Sequence, residues 1–583
     1  MNFFKSFFAS CLGSIVAMVV VIFGLIWIIS MSGGDEVLVG DNSVLHLDLD
    51  VPIVETERED PFAGVPFFGG NTPRPVGLAQ LRLAISKAKD DAKIKGIYLN
   101  VSAPQAGYAA IEEIRKSLED FRSGGKWVIV FSEGMTEQAY YLASVADKIY
   151  LHPEGDVEFN GLAIDVTFFK RLFDKLEIKP EIFRVGEFKS AVEPFILEKM
   201  SEQNRLQLTE LIESINDQVI AGVAAARKLP VERVKEISDK MLVHNPAQAK
   251  ELGLIDSLAY ADQVEEIVKK RAGVDKLSLV KYTTYKKTVT ATGTSKNEVA
   301  VIVAEGTIVS GKADASQGVI ASETFTKELR KVREDEDVKA VVIRINSPGG
   351  SSLASDAMWR EIMLTSQSKP VIASMADYAA SGGYYMAMAC DTIVAQPHTI
   401  TGSIGVFSVL YDASGFLGNK LGITSEELKT GEIGELITIS RPLTEVERSI
   451  WQQRTEDVYD TFTKKAAEGR NTTQEAIKAV ASGRVWSGLQ AKERGLVDII
   501  GTFEDAVKVA AAAADLKDDY KVRFYPRYTP SFFEQIVTQI EEDNEESVIR
   551  EQLGGYYYLY NQLKDVKSYQ GTQARMPYTL RIH

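Results

Sequence analysis

Cysteine is almost absent from this chain: Cys11 and Cys390 are the two in 583 residues. One lies in an apolar N-terminal run and the other deep in the second half, so a disulfide framework and a cysteine metal cluster are both excluded. Histidine is nearly as scarce. His46, His152, His244, His398 and His583 are scattered, and no two have the i, i+4 spacing of a helical metal site. The chain is therefore expected to use neither a metal nor a cofactor. Positive charge is in deficit: 66 Lys and Arg against 81 Asp and Glu give a formal net charge of −15. Phosphate backbones are bound by basic surfaces, so nucleic acid is excluded as a partner. Between Ser6 and Gly34 charge disappears altogether. That run is longer than the roughly 20 residues that cross a bilayer. It is also longer than the ~7–15-residue core of a cleaved signal peptide. With Lys5 before it and Asp35 and Glu36 after it, residues 1–35 are expected to form an uncleaved transmembrane anchor. The lysine places the N-terminus inside and the bulk of the chain outside the cytoplasm.

Beyond the anchor the sequence is ordinary for a globular protein, in a chain that is 45% hydrophobic and 25% charged. It is too long for a single core, and it is written twice. YYLASVADKIYLHPEGDVEFNG (140–161) matches YYMAMACDTIVAQPHTITGSIG (384–405), aligning Asp147 with Asp391, Pro153 with Pro397 and Gly161 with Gly405. QAKELGLID (248–256) matches QAKERGLVD (490–498). The offset drifts by a few residues, as loop insertions require. Two similar domains are expected over 44–285 and 299–525, joined by a polar linker at 286–298 and followed by a tail at 526–583. In the second copy, Val299–Ala304, Val341–Ile345 and Val371–Ser374 read as strands, and 322–334 and 352–365 carry helical spacing. Alternating strands and helices predict an α/β fold with a mostly parallel sheet. The tail, with YYYLY and an acidic stretch, suggests no role.

A duplicated domain shares what the fold needs, so positions where the copies differ are candidates for chemistry. Asn346-Ser347-Pro348-Gly349-Gly350-Ser351 follows a strand, and its counterpart Ser102-Ala103-Pro104-Gln105-Ala106-Gly107 lacks the Gly-Gly pair. Adjacent glycines let a backbone N–H point into a cleft, as an oxyanion hole requires. A plain tight turn is the blander reading. Ser381, before Gly382 and Gly383 at an apparent helix start, faces Glu137 in the first copy. Such a serine is commonly an N-cap, a role that can coexist with catalysis. The third difference runs the other way: Lys189, in Arg184-Val185-Gly186-Glu187-Phe188-Lys189, faces Gly434. One copy has the serine without the lysine, and the other has the lysine without the serine. A nucleophilic serine needs a neighbour to take its proton. Only His398, which faces Glu154, falls near these motifs. A lysine can serve if burial lowers its pKa from ~10.4 towards neutrality.

RVGEFKSAVEPF, INSPGGSS, DYAASGGYY and TGSIGVF, in this order, resemble signal peptide peptidase A in its long, duplicated form, a serine–lysine protease family. The resemblance covers the anchor, both copies and the linker. It implies two tandem ClpP/crotonase-like domains and a bowl-shaped homo-oligomer, a tetramer in the long form. It further implies peptide substrates left by signal-peptide cleavage, and a bacterial inner-membrane location with the catalytic domains on the periplasmic side. Carried over by motif, Ser381 is the nucleophile and Lys189 the general base. The N–H groups of Gly350 and Gly382 form the oxyanion hole, and Ser403 orients the lysine. Ser403 faces Phe159, which has no hydroxyl. Two rival readings remain: a non-catalytic membrane scaffold on the same fold, and a soluble acyl-CoA enzyme of the crotonase type. The anchor and the paired Ser and Lys differences argue against the second.

Overall fold

The computed structural model describes residues 39–57, 74–289, 295–313, 318–525 and 571–576, with Gly13, Ala17 and Ile582. The anchor expected over 1–35 and most of the tail therefore lie outside the described residues. Among the described residues, no helix is long and apolar enough to cross a membrane.

The first copy is built on a six-stranded sheet in the order Ser257–Leu258, Lys148–Val157, Trp127–Met135, Ile94–Asn100, Ser43–Asp48, Leu279–Lys281. All its pairings are parallel. The second copy repeats this plan along Val485–Ser487, Ile400–Gly402, Val371–Ala380, Val338–Ser347, Glu298–Glu305 and Lys521–Tyr525, with Thr392–Ala395 and Ile499–Ile500 branching from the middle. Only Ile400–Gly402 against Val485–Ser487 is antiparallel in that sheet. Side chains alternate across each strand. Val299, Val301, Ala340 and Val342 pack under helix Phe503–Ala513. Their neighbours Ala300, Ile302, Val341 and Ile343 face the opposite core, with Leu329 and Met358 from helices Ser322–Glu334 and Ser352–Ser366. Helices on both faces explain why these strands read as unbroken apolar runs.

The repeat is visible in individual hydrogen bonds. Tyr140 Oη donates to the Leu254 carbonyl at 2.9 Å and Tyr384 Oη to that of Leu496 at 3.0 Å. The Asp147 carboxylate accepts from Val128 N–H, and that of Asp391 from Val371 N–H, each at 2.8 Å. Asp256 and Asp498 accept from Ile149 and Ile393 N–H in the same way.

The copies meet through buried charge as well as apolar contact. Arg344, on a central strand of the second copy, donates to Glu55 at 2.7 Å and Glu113 at 2.9 Å in the first. Asp377 of the second copy accepts from Gly107 and Ala110 N–H, at the start of first-copy helix Tyr108–Ser123. A smaller sheet then crosses between the copies. Its order is Val319–Ala321, Thr307–Val309, Gly349–Ser351, Gly571–Arg575, Val406–Asp412, Lys179–Val185. Its last strand belongs to the first copy and runs antiparallel to Val406–Asp412, from Val185 opposite Val406 to Lys179 opposite Asp412.

Candidate active site

That shared strand delivers the lysine. After Val185 the chain turns at Gly186, whose φ of 109° is open to glycine and strained for other residues. Lys189 then precedes a short 3-10 turn, Ser190–Val192. Phe188 N–H donates to the Ser482 carbonyl at 2.9 Å, which ties the loop to the second copy. Gln207 clamps it from the other side. Its side-chain amide donates to the Phe188 carbonyl at 3.0 Å and to Ser190 Oγ at 2.9 Å, while its oxygen accepts from second-copy Val485 N–H at 3.2 Å. Nothing in the sequence singles out Gln207 within helix Glu202–Arg227; its role depends on contacts distant in the chain.

The serine stands at the end of strand Val371–Ala380, one residue before helix Gly382–Ala387. It occupies the N-cap position, yet its side chain makes no capping hydrogen bond. Its backbone has φ 55° and ψ −109°, a conformation held by Ser381 N–H donating to the Gly402 carbonyl at 2.8 Å. Strain of this kind persists only where surrounding structure imposes it, and here it aims the hydroxyl away from its own helix.

Lys189 and Ser381 meet within one chain. Lys189 Nζ lies 2.9 Å from Ser381 Oγ, 2.9 Å from Ser403 Oγ and 3.0 Å from the Ser403 carbonyl. All three residues are 0% exposed. Burial pushes the Lys189 pKa well below the usual lysine range. A neutral amine has two N–H groups and one lone pair. With both N–H groups on Ser403, the lone pair is left facing the Ser381 hydroxyl. Among the described residues, Ser381 Oγ has no hydrogen bond to a histidine. His398 is instead packed among the Tyr108 and Tyr141 rings, and burial beside Arg115 pushes its pKa down to about 3.

The glycine candidates close the other side. Gly349–Ser351 is a short strand beside Thr307–Val309, with Gly350 opposite Ile308. A Cβ on Gly349 would come within 2.7 Å of Gly382 N, so the Gly-Gly turn and the helix start are in close approach. Against them lies the strand Gly571–Arg575 from the tail, a feature for which the sequence offered no signal.

The first copy supplies the lysine but lacks the serine, the second serine and the Gly-Gly turn. Glu137 replaces the serine and accepts from Asn160 and Gly161 N–H at 3.0 and 2.9 Å, with burial raising its pKa to about 7. Phe159, in the place of Ser403, is buried edge-on against Tyr140. In the second copy, Gly434, the counterpart of Lys189, lies on an exposed loop.

The sequence profile of peptidase family S49 matches residues 120–275 and 363–517, one match in each copy. The chloroplastic serine protease SPPA of Arabidopsis thaliana is 35% identical over 466 residues, covering 78% of this chain and 68% of that protein. Protease 4 of Salmonella typhi is 36% identical over 470 residues, covering 78% of this chain and 75% of its own. A solved ClpP1 mutant from Listeria monocytogenes aligns with 36% of this chain and 95% of its own at 17% identity and a TM-score of 0.24. At so low a score the fold rests on the sheet topology alone.

Proposed function

The chain belongs to peptidase family S49 and is a serine peptidase with two copies of the family domain, and we propose that it cleaves membrane-proximal peptides, signal-peptide remnants among them, with a Ser381–Lys189 dyad. The observation that carries this reading is the 2.9 Å contact between Lys189 Nζ and Ser381 Oγ in a dry site. Lys189, neutral, takes the hydroxyl proton as Ser381 Oγ attacks the substrate carbonyl carbon. Ser403 fixes the amine through its hydroxyl and carbonyl. Backbone N–H groups at Gly350 and Gly382 stabilise the tetrahedral oxyanion. The proton passes from Lys189 to the leaving amine, and water then hydrolyses the acyl-enzyme. The apolar run before Asp35 holds the catalytic halves at the outer face of a bacterial inner membrane, where apolar peptide remnants arise. In this reading each copy has the ClpP/crotonase-like fold and the chain works as a homo-oligomer, a tetramer.

Ser381→Ala and Lys189→Met should each lower kcat/KM on a peptide substrate by at least about 10²-fold in folded protein, the scale of a lost general base. An active-site-directed serine reagent should label the wild type and not Ser381→Ala. Retained cleavage in either variant would sink the dyad, and absence of labelling would favour a non-catalytic scaffold.

A further inference from the structure

The chain enters the first copy at one edge of its sheet. From Val39 it runs into strand Ser43–Asp48. Ser43 N–H donates to the Lys93 carbonyl and Val44 N–H to that of Ser278, each at 2.9 Å. The entry is thus held between the starts of strands Ile94–Asn100 and Leu279–Lys281. In a parallel sheet the strands start at one edge, and the helices that connect them end there. Val39 is five residues beyond Gly34, where the uncharged run stops. Five residues fully extended reach at most about 18 Å. With residues 1–35 read as a membrane anchor, this edge lies close to the lipid headgroups.

Five exposed cations border the entry: Lys93, Lys95, Lys270, Arg271 and Lys276. None of them forms an ion pair among the described residues. Asp41, Asp90 and Asp275 are the exposed carboxylates beside them, so positive charge is in excess at this edge of a chain with a net charge of −15. The second copy shows that the fold does not require these cations. At an offset of 244, Asp337 stands for Lys93. At 242, Ala512, Ala513 and Asp518 stand for Lys270, Arg271 and Lys276. Helix Phe503–Ala513 has no basic residue in its last turn, so a helix C-terminus alone does not call for Lys270 and Arg271. The second copy is entered from the linker, at Glu298, whose N–H donates to the Asp337 carbonyl. The cations are found in the copy that follows the apolar run.

We propose that this edge of the first copy is a docking surface for anionic phospholipid headgroups, on which the domain sits beside its own anchor. The proposal rests on the anchor reading. Headgroup phosphates accept charge-assisted hydrogen bonds from ammonium and guanidinium groups. Each cation held near an anionic bilayer strengthens binding by about fivefold. The attraction fades over a Debye length, about 8 Å at physiological ionic strength, so it depends on the short tether to Val39. The surface is separate from the chemistry. Glu137, the first-copy counterpart of Ser381, follows strand Trp127–Met135 and so stands at the opposite end of the sheet.

The test places the full chain in lipid nanodiscs of phosphatidylcholine, alone or mixed with phosphatidylglycerol, and reads lysine acetylation rates by peptide mass spectrometry. In the anionic discs Lys93, Lys270 and Lys276 should react about fivefold more slowly than in the neutral ones. Salt at ~1 M, where the Debye length is about 3 Å, should erase the difference. Lys339 and Lys517, on the matching edge of the second copy, should react alike in both discs. The double variant Lys93→Asp, Lys276→Asp takes the second copy's residues. It should keep the wild-type unfolding temperature and lose the slowing at Lys270. The wild-type comparison decides alone where that temperature falls. Equal rates in the two discs, slowing shared by Lys339 and Lys517, or slowing at Lys270 that survives in the folded variant overturns this inference. The anchor stands in each of these cases, provided the chain travels with both kinds of disc. A chain that travels with neither overturns both readings.

Discussion

At Lys189 the solvent has been exchanged for two serines and a backbone carbonyl. No carboxylate lies among its polar contacts, and burial alone depresses its pKa. In the unfolded chain the same amine titrates near ~10.4. Between the depressed folded value and ~10.4 the unfolded state holds more protons, so stability rises with pH across that window. Lys189 therefore penalises the fold at neutral pH, and the penalty is gone once the unfolded amine is also neutral. Lys189→Met removes the titration together with the hydrogen bonds to Ser403, which are worth about 1 kcal/mol each. The lost bonds shift its stability equally at every pH; the lost titration does not. The stability of Lys189→Met relative to wild type should be most favourable near pH 7 and decline as pH approaches 10. Thermal unfolding at several pH values measures this, and a flat difference would mean that Lys189 is charged in the folded protein. Ser381 adds strain of its own, since φ 55° with ψ −109° is a conformation suited to glycine.

Two elements carry the lysine to the serine: strand Lys179–Val185, exchanged into the second copy's small sheet, and the loop around Gly483 that backs the Lys189 stem. Gly483 has φ 80°, and a Cβ there would lie 2.6 Å from that of Lys189. Gly483→Ala should therefore push the lysine out of line, lowering kcat by about 10²-fold, the scale expected for a 1 Å misplacement. KM should stay near its wild-type value, because a Cβ on Gly483 would meet the backbone and Cβ of Lys189. Steady-state kinetics separate the two. Sequence comparison singled out Lys189, Ser381 and Ser403, and the structure brings these side chains within 3 Å of one another through Lys189 Nζ. The pattern was legible because duplication supplies an internal control: Glu137, Phe159 and Gly434 stand at the matching positions of the other copy. Helices Ser322–Glu334 and Ser352–Ser366 were legible from their periodicity. Strands such as Lys179–Val185 and Gly571–Arg575 were not placed, because their partners are chosen by open edges far away in sequence. GTQAR has no alternating apolar pattern to announce a strand. Gln207 was invisible for the same reason: its contacts to Phe188 and Val485 exist only once the copies dock.

Across the whole molecule, the site exists only while the two copies hold their register, and a buried ion cluster fixes that register. Arg344 is 1% exposed and bridges Glu55 and Glu113, whose other carboxylate oxygen meets Arg82 at 2.5 Å. Burial would push the Glu113 carboxyl up, but Arg344 and Arg82 outweigh it and hold the group below the usual carboxylate range. That contribution to stability is present above the unfolded pKa, near 4.3, and is lost as pH falls through the lower folded value. Arg344→Met keeps much of the volume but strips Glu55 of both guanidinium hydrogen bonds and Glu113 of one. Removing one partner of a buried ion set costs about 3–5 kcal/mol, because the remaining charges stay buried. The variant should lose stability of that order at pH 7 and unfold at a lower temperature. Its deficit should shrink between pH 7 and pH 5, where protonating the stranded carboxylates relieves them. Peptide cleavage should fall in step with the loss of docking, since Lys189 and Ser381 sit on opposite sides of the same contact. Calorimetry at the two pH values, with activity measured on the same samples, provides the check. A deficit that grows on acidification would show that the carboxylates are satisfied without Arg344, and that the copies are held together by their apolar contact alone.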